Sequence, residues 1–346
     1  MADFDCKHDG KRSSYPDGFS NNAVAFPKAD RMQWPDRRVR RVKLRDLYIL
    51  RAVAEHGSMA KAAEHLAISH PVISKAISEL EHALGVRLLD RSSRGVEPTT
   101  YGEALLKCGI AVFDDVLQGL NHIDFLAKSG SGELRVGCPE AMAAGLLPVI
   151  AGQFSQQYPN ARLHVVYADT ASAQFDQLRE RRVDLLLGTM PRPFAEEDLV
   201  AEHLFDEKIV VVAGVHSGWA RRRRIVFADL QDEHWVLAPT DSVPGRIRAE
   251  VFAADGLPTP KGAIFSLSIH LTIGLAASGQ FIALMPGSVA RFHPGRGALK
   301  ILPVMNLPRF RVAVGIITLK NRTISPLAEH FIACARKVTS PLAKDT

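Results

Sequence analysis

The sequence predicts an α+β multi-domain chain, and three observations predict it. Residues 41–100 hold three short amphipathic stretches followed by a glycine-centred hairpin pattern. Residues 101–132 hold one longer stretch whose apolar side chains step by four and three. From 133 to 340, short apolar runs alternate with helical ones. Ahead of these, residues 1–40 mix Lys, Arg, Ser, Asp, Gly and Pro without apolar periodicity, which predicts a disordered basic leader. Met32 offers an alternative start within it. The run Arg37, Arg38, Arg40, Arg41, Lys43 and Arg45 reads either as a solvated leader or as an arm that touches phosphates.

The first helix spans 44–57, with Leu47, Ile49, Leu50, Val53 and Ala54 on its buried side and Gly57 ending it. Ser58 can cap a second helix, Met59 to Leu66, which buries Met59, Ala62, Ala63 and Leu66. After a short break at Ala67-Ile68, Ser69 can cap a third. Pro71 lies in its first turn, where a missing N–H costs little. Helical spacing buries Val72, Ile73, Ile77, Leu80 and Leu84 and leaves His70, Ser74, Lys75 and Ser78 on the other face.

Gly85 closes the third helix, and Val86 to Pro98 suits a small hairpin with Gly95 at its turn. Thr99 or Thr100 can cap the next helix, with Thr100 to Glu103 matching a capping box. Along it Leu106, Ile110, Phe113, Leu117 and Leu120 form a heptad seam, which packs against a partner helix. Gly102, Gly109 and Gly119 weaken that seam, and a helix facing its own core is the other reading. Ser129-Gly130-Ser131-Gly132 is a flexible-linker signal.

Beyond it, strands are expected at 134–137, 162–167 and 183–188, with helices at 146–158 and 172–181 between them. Further strands are expected at 208–213, 235–238, 281–285, 300–304 and 312–318, and a last helix at 325–338. Alternation of this kind implies a parallel sheet with right-handed crossovers.

Composition narrows the function. Hydrophobic residues make up 47% of the chain, enough for genuine cores. The formal charge of +6 favours a polyanionic partner, weakly unless clustered. Cys6, Cys108, Cys138 and Cys334 include no C-x-x-C pair, which fits a reducing compartment and argues against a disulfide framework or a zinc site. The polar N-terminus and the lack of any long apolar run predict a cytoplasmic protein that is not a membrane partner. Nucleophile-elbow, Walker, complete dinucleotide-binding and H-E-x-x-H patterns are all missing, so no catalytic residue, metal or cofactor is expected and the chain reads as a non-enzyme.

The strongest chemical signal is a helix-turn-helix. A recognition helix needs an apolar face that anchors it and a face of short polar and cationic side chains that reads base edges. Residues 69–84 meet both demands. His70 and Lys75 can donate to guanine, Ser74 can donate or accept, and Pro71 opens the helix. Ser58, Lys61 and Ser69 lie near helix N-termini, where backbone N–H groups bind phosphate. In the hairpin, Arg87, Arg91 and Arg94 can reach phosphates or the minor groove.

The stretch Leu44 to Glu103 resembles the LysR-type regulators. The resemblance rests on the apolar spacing Leu47, Leu50, Val53, Ala54 and on Gly57-Ser58-Met59 with Ala62-Ala63 and Leu66. Ser69-His70-Pro71-Val72-Ile73-Ser74, Leu80-Glu81, Leu84-Gly85, Leu88-Leu89-Asp90-Arg91 and Thr99 with Gly102 continue it. His70 departs from it, since the family more often has Gln there. The resemblance covers about residues 44–340. It implies a winged helix-turn-helix, a long linker helix and a sensor of two α/β lobes similar to periplasmic solute-binding proteins. It also implies double-stranded DNA, a small-molecule effector, RNA polymerase and a second copy of the chain (as a dimer or tetramer) as partners. A ligand between the lobes would alter lobe or subunit geometry and hence the spacing of the recognition helices.

Effectors in open α/β sheets sit at the carboxyl ends of strands. Cys138, Glu140 and Ala141 follow the first sensor strand. Glu140 either faces the ligand or complements its own helix dipole. Cys138 reads as buried packing rather than a redox sensor. Arg192, Thr240, Ser242 and Ser266 are the other principal candidates, with Thr189, Asp241, Arg246 and Ser268 beside them. Their hydroxyl and carboxylate content suits a sugar or polyol better than a simple acid, while Arg192 and Arg246 leave an organic acid open. Arg221 to Arg224 reads as a solvated loop. Two other functions compete with a regulator: a cytoplasmic solute-binding protein without a gene-regulatory role, and an enzyme on a two-lobed scaffold.

Overall fold

The computed structural model describes residues 39–92, 95–127, 130–168, 175–260, 263–305, 307 and 311–344. The leader up to residue 38, Arg94, Ser129 and the expected start of a helix at Ser172 lie outside the described residues. The chain forms two compact units, one up to Tyr101 and one from Gly102.

The first unit holds α1 (Leu44–His56), α2 (Met59–His65), α3 (His70–Leu84) and a hairpin of β1 (Leu89–Ser92) and β2 (Gly95–Pro98). Its core is the apolar face of α3, where Ile73, Ile77 and Leu80 are at most 1% exposed, packed with Leu50, Val53 and Ala62. Each such burial stabilises by roughly 1.5–3 kcal/mol, so the orientation of α3 is fixed by its inner face. Ala54, Leu66, Val72 and Leu84, expected in this core, are only half-buried. They lie on its margin, where helix ends face solvent. The hairpin is joined to α1 through glycine. Val96 N donates to Gly57 O at 2.9 Å, and a Cβ on Gly95 (φ +131°) would lie 2.7 Å from that same oxygen. Glu81 on α3 accepts from the backbone N–H of Leu88 (2.8 Å) and Leu89 (3.3 Å), which ties α3 to the start of β1.

A long helix, α4 (Thr100–Ala127), leads into the second unit. Thr99 precedes it, with its Oγ1 donating to Arg87 O at 2.8 Å. The heptad seam splits along its length. Leu106, Ile110 and Phe113 are half-buried, whereas Leu117 and Leu120 are exposed beside Val116, Ile123 and Leu126. Besides Gly102 and Gly109, the residues that α4 buries are polar: Asp114 and Gln118. Arg322 donates to both oxygens of Asp114 (2.7 and 2.6 Å), and Arg181 adds a third bond at 2.6 Å.

Two α/β lobes follow. The elements are β3 (Gly132–Cys138), α5 (Glu140–Ala144), α6 (Leu147–Gln157), β4 (Ala161–Tyr167), α7 (Asp176–Arg179), β5 (Leu185–Thr189), β6 (Leu199–Gly214), β7 (Ile225–Val226), β8 (Trp235–Leu237), α8 (Val243–Ala254), β9 (Ala263–Phe265), α9 (Ile269–Ala277), β10 (Ile282–Pro286), α10 (Gly287–Phe292), β11 (Leu299–Ile301), β12 (Val304–Met305), β13 (Arg311–Leu319) and α11 (Pro326–Lys344). The order is β4-β3-β5-β13-β6 in the first lobe and β6-β10-β8-β9 in the second, with β11 also on β6.

The expectation of a parallel sheet needs correction. Strands β3, β4 and β5 are parallel, as are β8, β9 and β10, but β13 is antiparallel to β5 and β6, and β6 to β10. The reason is connectivity. The chain leaves the first lobe along β6, sixteen residues long, and returns along β13 in the opposite direction. Each lobe has helices on both faces of its sheet. Phe154 and Phe331 meet edge-on on one face of the first lobe, while Phe227, Trp235 and Phe252 cluster in the second. The helix expected at 146–158 is α6, with the short α5 added before it, and two local expectations shift. Of the helix expected at 172–181, the described part is the single turn α7. The last helix runs on to Lys344. Arg221 to Arg224 are exposed, as a solvated loop requires. Among the described residues no helix is long and apolar enough to cross a membrane.

Candidate functional site

Two sites stand out, one in each unit. In the first, α3 presents His70, Pro71, Lys75 and Ser78 exposed and Ser74 half-buried, opposite its apolar face. Lys75 reaches Glu79 at 3.8 Å, but the lysine side chain is 78% exposed and the contact is loose. Ser58 caps α2 by accepting from Lys61 N at 3.4 Å, which commits its oxygen locally, while the Lys61 side chain stays exposed. Ser69 occupies the N-cap of α3 without a side-chain cap bond. Arg87 and Arg91 are exposed on the hairpin side. The expected DNA-contacting residues therefore share one unit and remain accessible, with Arg94 outside the described residues.

In the second unit, a cavity of about 130 Å³ lies between the lobes. It sits at the carboxyl ends of β3 and β8 and at the first turns of α8 and α9, where strand-end chemistry places ligands. The β3–α5 turn contributes Pro139, Glu140, Ala141 and Met142, and α8 contributes Val243, Pro244, Ile247 and Arg248. Ser266, Leu267, Ile269 and Thr272 come from the β9–α9 region, and the crossing strands add Glu207, Ile209 and Val312. Gly245 lies so near the loop after β8 that a Cβ there would fall 1.7 Å from Pro239 O.

The expected effector residues divide. Glu140, Ala141 and Ser266 line the cavity, as does Thr189. Glu140 faces the cleft, and its Oε1 accepts from Ile269 N across the lobes at 2.8 Å. Its carboxylate thus serves the orphan N–H groups of α9 rather than the dipole of its own helix. Cys138 does not reach the cavity. Its side chain is 2% exposed within the first-lobe core, and burial pushes its thiol up to about 11, far from a reactive thiolate. Arg192 is also elsewhere, paired with Asp206 at 2.6 Å and largely in solvent. Thr240 and Ser242 act as supports. Thr240 accepts from Arg248 Nη2 at 2.8 Å, and Ser242 caps α8 by accepting from Gly245 N at 3.0 Å. Ser268 caps α9, and Asp241 and Arg246 are exposed. The hydroxyl-rich sugar site expected from sequence does not assemble, because turn and cap geometry consumes most of those side chains.

Sequence reasoning missed the two charged residues that matter most to the cavity. Glu207 is buried on the crossing strand. It accepts from Ser288 N at 3.1 Å and from the Ser288 hydroxyl. Burial raises its pKa, against the lowering effect of the hydrogen bonds from Ser288. Arg248 is 4% exposed. A signal for it existed: Val251 and Phe252 follow at three and four residues, so helical spacing puts Arg248 on a buried face.

Comparison with known proteins covers nearly all of the described chain. Residues 44–103 match the family model for bacterial regulatory helix-turn-helix proteins of the lysR family, and residues 127–340 match the LysR substrate binding domain. The regulator GbpR of Azospirillum brasilense is 28% identical over 299 residues, 86% of each chain. BenM of Acinetobacter baylyi, an HTH-type transcriptional regulator, is 30% identical over 254 residues, 71% of this chain and 81% of its own. A full-length BenM structure superposes with a TM-score of 0.50 at 26% identity, covering 87% of this chain and 97% of that one. CbnR complexed with its target DNA shares the fold, with a TM-score of 0.57 at 21% identity over 86% of this chain and all of that one.

Proposed function

The chain belongs to the lysR family of bacterial transcription regulators, and from that premise we propose which residues read DNA and where the effector acts. The recognition surface is the outer face of α3, led by His70, Ser74 and Lys75, with Ser58, Lys61, Ser69 and Arg91 positioning the unit on phosphates. The observation that carries this is the division of α3. Its inner face is sealed at Ile73, Ile77 and Leu80, while its outer face keeps cationic and hydroxyl groups in solvent. A solute-binding protein has no use for such a helix. The relatives are named as transcriptional regulators, which disfavours the enzyme reading.

The effector occupies the cavity between the lobes, and it controls how the lobes sit on each other through the Glu140–Ile269 contact. The exposed apolar face of α4, with Leu117 and Leu120, takes a second copy of the chain. RNA polymerase is the partner through which bound protein changes transcription in the cytoplasm. The test is a gel shift with fragments from upstream of neighbouring genes. Tight, salt-sensitive binding to one fragment supports the reading; equal, weak binding to all fragments removes it.

A further inference from the structure

We propose that Arg248 is the anchor for a carboxylate, so that the effector is a small organic acid with a compact apolar body. This rests on the interlobe cavity being the effector site. Arg248 is 4% exposed and lines that cavity. Its Nη2 donates to Thr240 Oγ1 at 2.8 Å, and its guanidinium carbon lies 5.4 Å from the centroid of the Phe265 ring. Its Nε and Nη1 have no hydrogen-bond partner among the described residues. A guanidinium stays charged in proteins, so a buried one with open N–H groups calls for an anion.

Among the described residues, the carboxylates that line the cavity do not answer that need. Glu140 is held by Ile269 N, and Glu207 by Ser288. Burial lowers the Arg248 pKa. A ligand carboxylate has two oxygens that match guanidinium geometry, in a setting where charge-assisted bonds are strong. The rest of the ligand must suit walls such as Val243, Ile247 and Leu267. A cavity of about 130 Å³ is close to one of ~150 Å³ known to hold benzene, so an apolar body of about six carbons fits. Neutral polyols would leave the guanidinium without a counter-charge.

The test uses the full chain and four probes: hexanoate, phenylacetate and their amides, hexanamide and phenylacetamide. Each is titrated by calorimetry and by thermal melting. At least one acid is expected to bind about tenfold or more tightly than its amide. In Arg248→Met that preference should vanish, and in Arg248→Lys it should be partly kept. Replacing a buried unpaired charge by an apolar side chain of similar length leaves the fold intact, and the wild-type acid–amide comparison needs no variant. Equal binding of acid and amide overturns the proposal, as does failure of both acids to bind at millimolar concentration. A gel shift on the same samples separates the two readings: DNA binding without acid preference sinks only this inference, whereas acid binding without selective DNA binding sinks the regulator assignment.

Discussion

Asp114 of α4 and Arg322, more than two hundred residues apart in sequence, form a two-point ion pair with bonds of 2.7 and 2.6 Å, and both side chains are under 10% exposed. Arg181 and Asp184 complete the cluster. The long helix is thus tied to the first lobe by buried charge as well as by Phe125, which packs against the first-lobe core beside Tyr158 and His330. Removing Asp114 leaves Arg322 with Asp184 as its remaining carboxylate partner among the described residues, so Asp114→Ala should destabilise the second unit by about 1–3 kcal/mol in urea unfolding.

The same pair carries a pH dependence. Burial alone would raise the Asp114 carboxyl, but hydrogen bonds and charge from Arg322 and Arg181 outweigh it and hold the group below the usual carboxylate range. A folded pKa below the unfolded value of about 3.9 means that the stabilisation is complete above that value. It is lost as pH falls through the folded pKa. Wild-type stability should therefore drop more steeply with acid than that of Asp114→Ala, followed by urea unfolding between neutral pH and the acid limit.

At the DNA surface, Lys75→Ala should weaken specific binding by about 1–3 kcal/mol if the lysine reads a base, or lower the salt slope by about one if it contacts phosphate. The lysine is exposed, so the melting temperature should stay the same. Unchanged operator affinity at every salt concentration removes Lys75 from the interface.

Leu120→Glu on α4 should shift the oligomer towards monomer in sedimentation, with helix content unchanged. Leu120 is 54% exposed in the single chain, so the substitution costs that chain little. An oligomer that survives at all concentrations shows that self-association uses another surface.

Around the cleft, Gly245→Ala should lower stability by about 1–3 kcal/mol, because the new methyl would collide with Pro239 O. Gly152→Ala in α6 is the control. A Cβ there meets nothing within 4 Å, and helix propensity predicts a gain of up to about 1 kcal/mol. Thermal melts of the two variants moving the same way would contradict the close approach at Gly245.

Much of this protein follows from the chain alone. The spacing of Ile73, Ile77 and Leu80 was enough to place α3 and to say which face is free, because amphipathic periodicity is a local property that tertiary packing merely uses. Glycines 57 and 85 marked helix ends for the same reason, since the left-handed turn is written in one residue. The composition of the cleft needed the folded structure. Glu140 against Ile269, or Asp114 against Arg322, are pairings between segments far apart in sequence that only the folded chain brings together. Whether a hydroxyl such as Ser242 faces a ligand or caps a helix depends on which backbone N–H is nearest once the chain has folded. Local periodicity fixes elements and their faces; partner choice among polar groups is settled by long-range geometry, and there the tertiary structure alone decides.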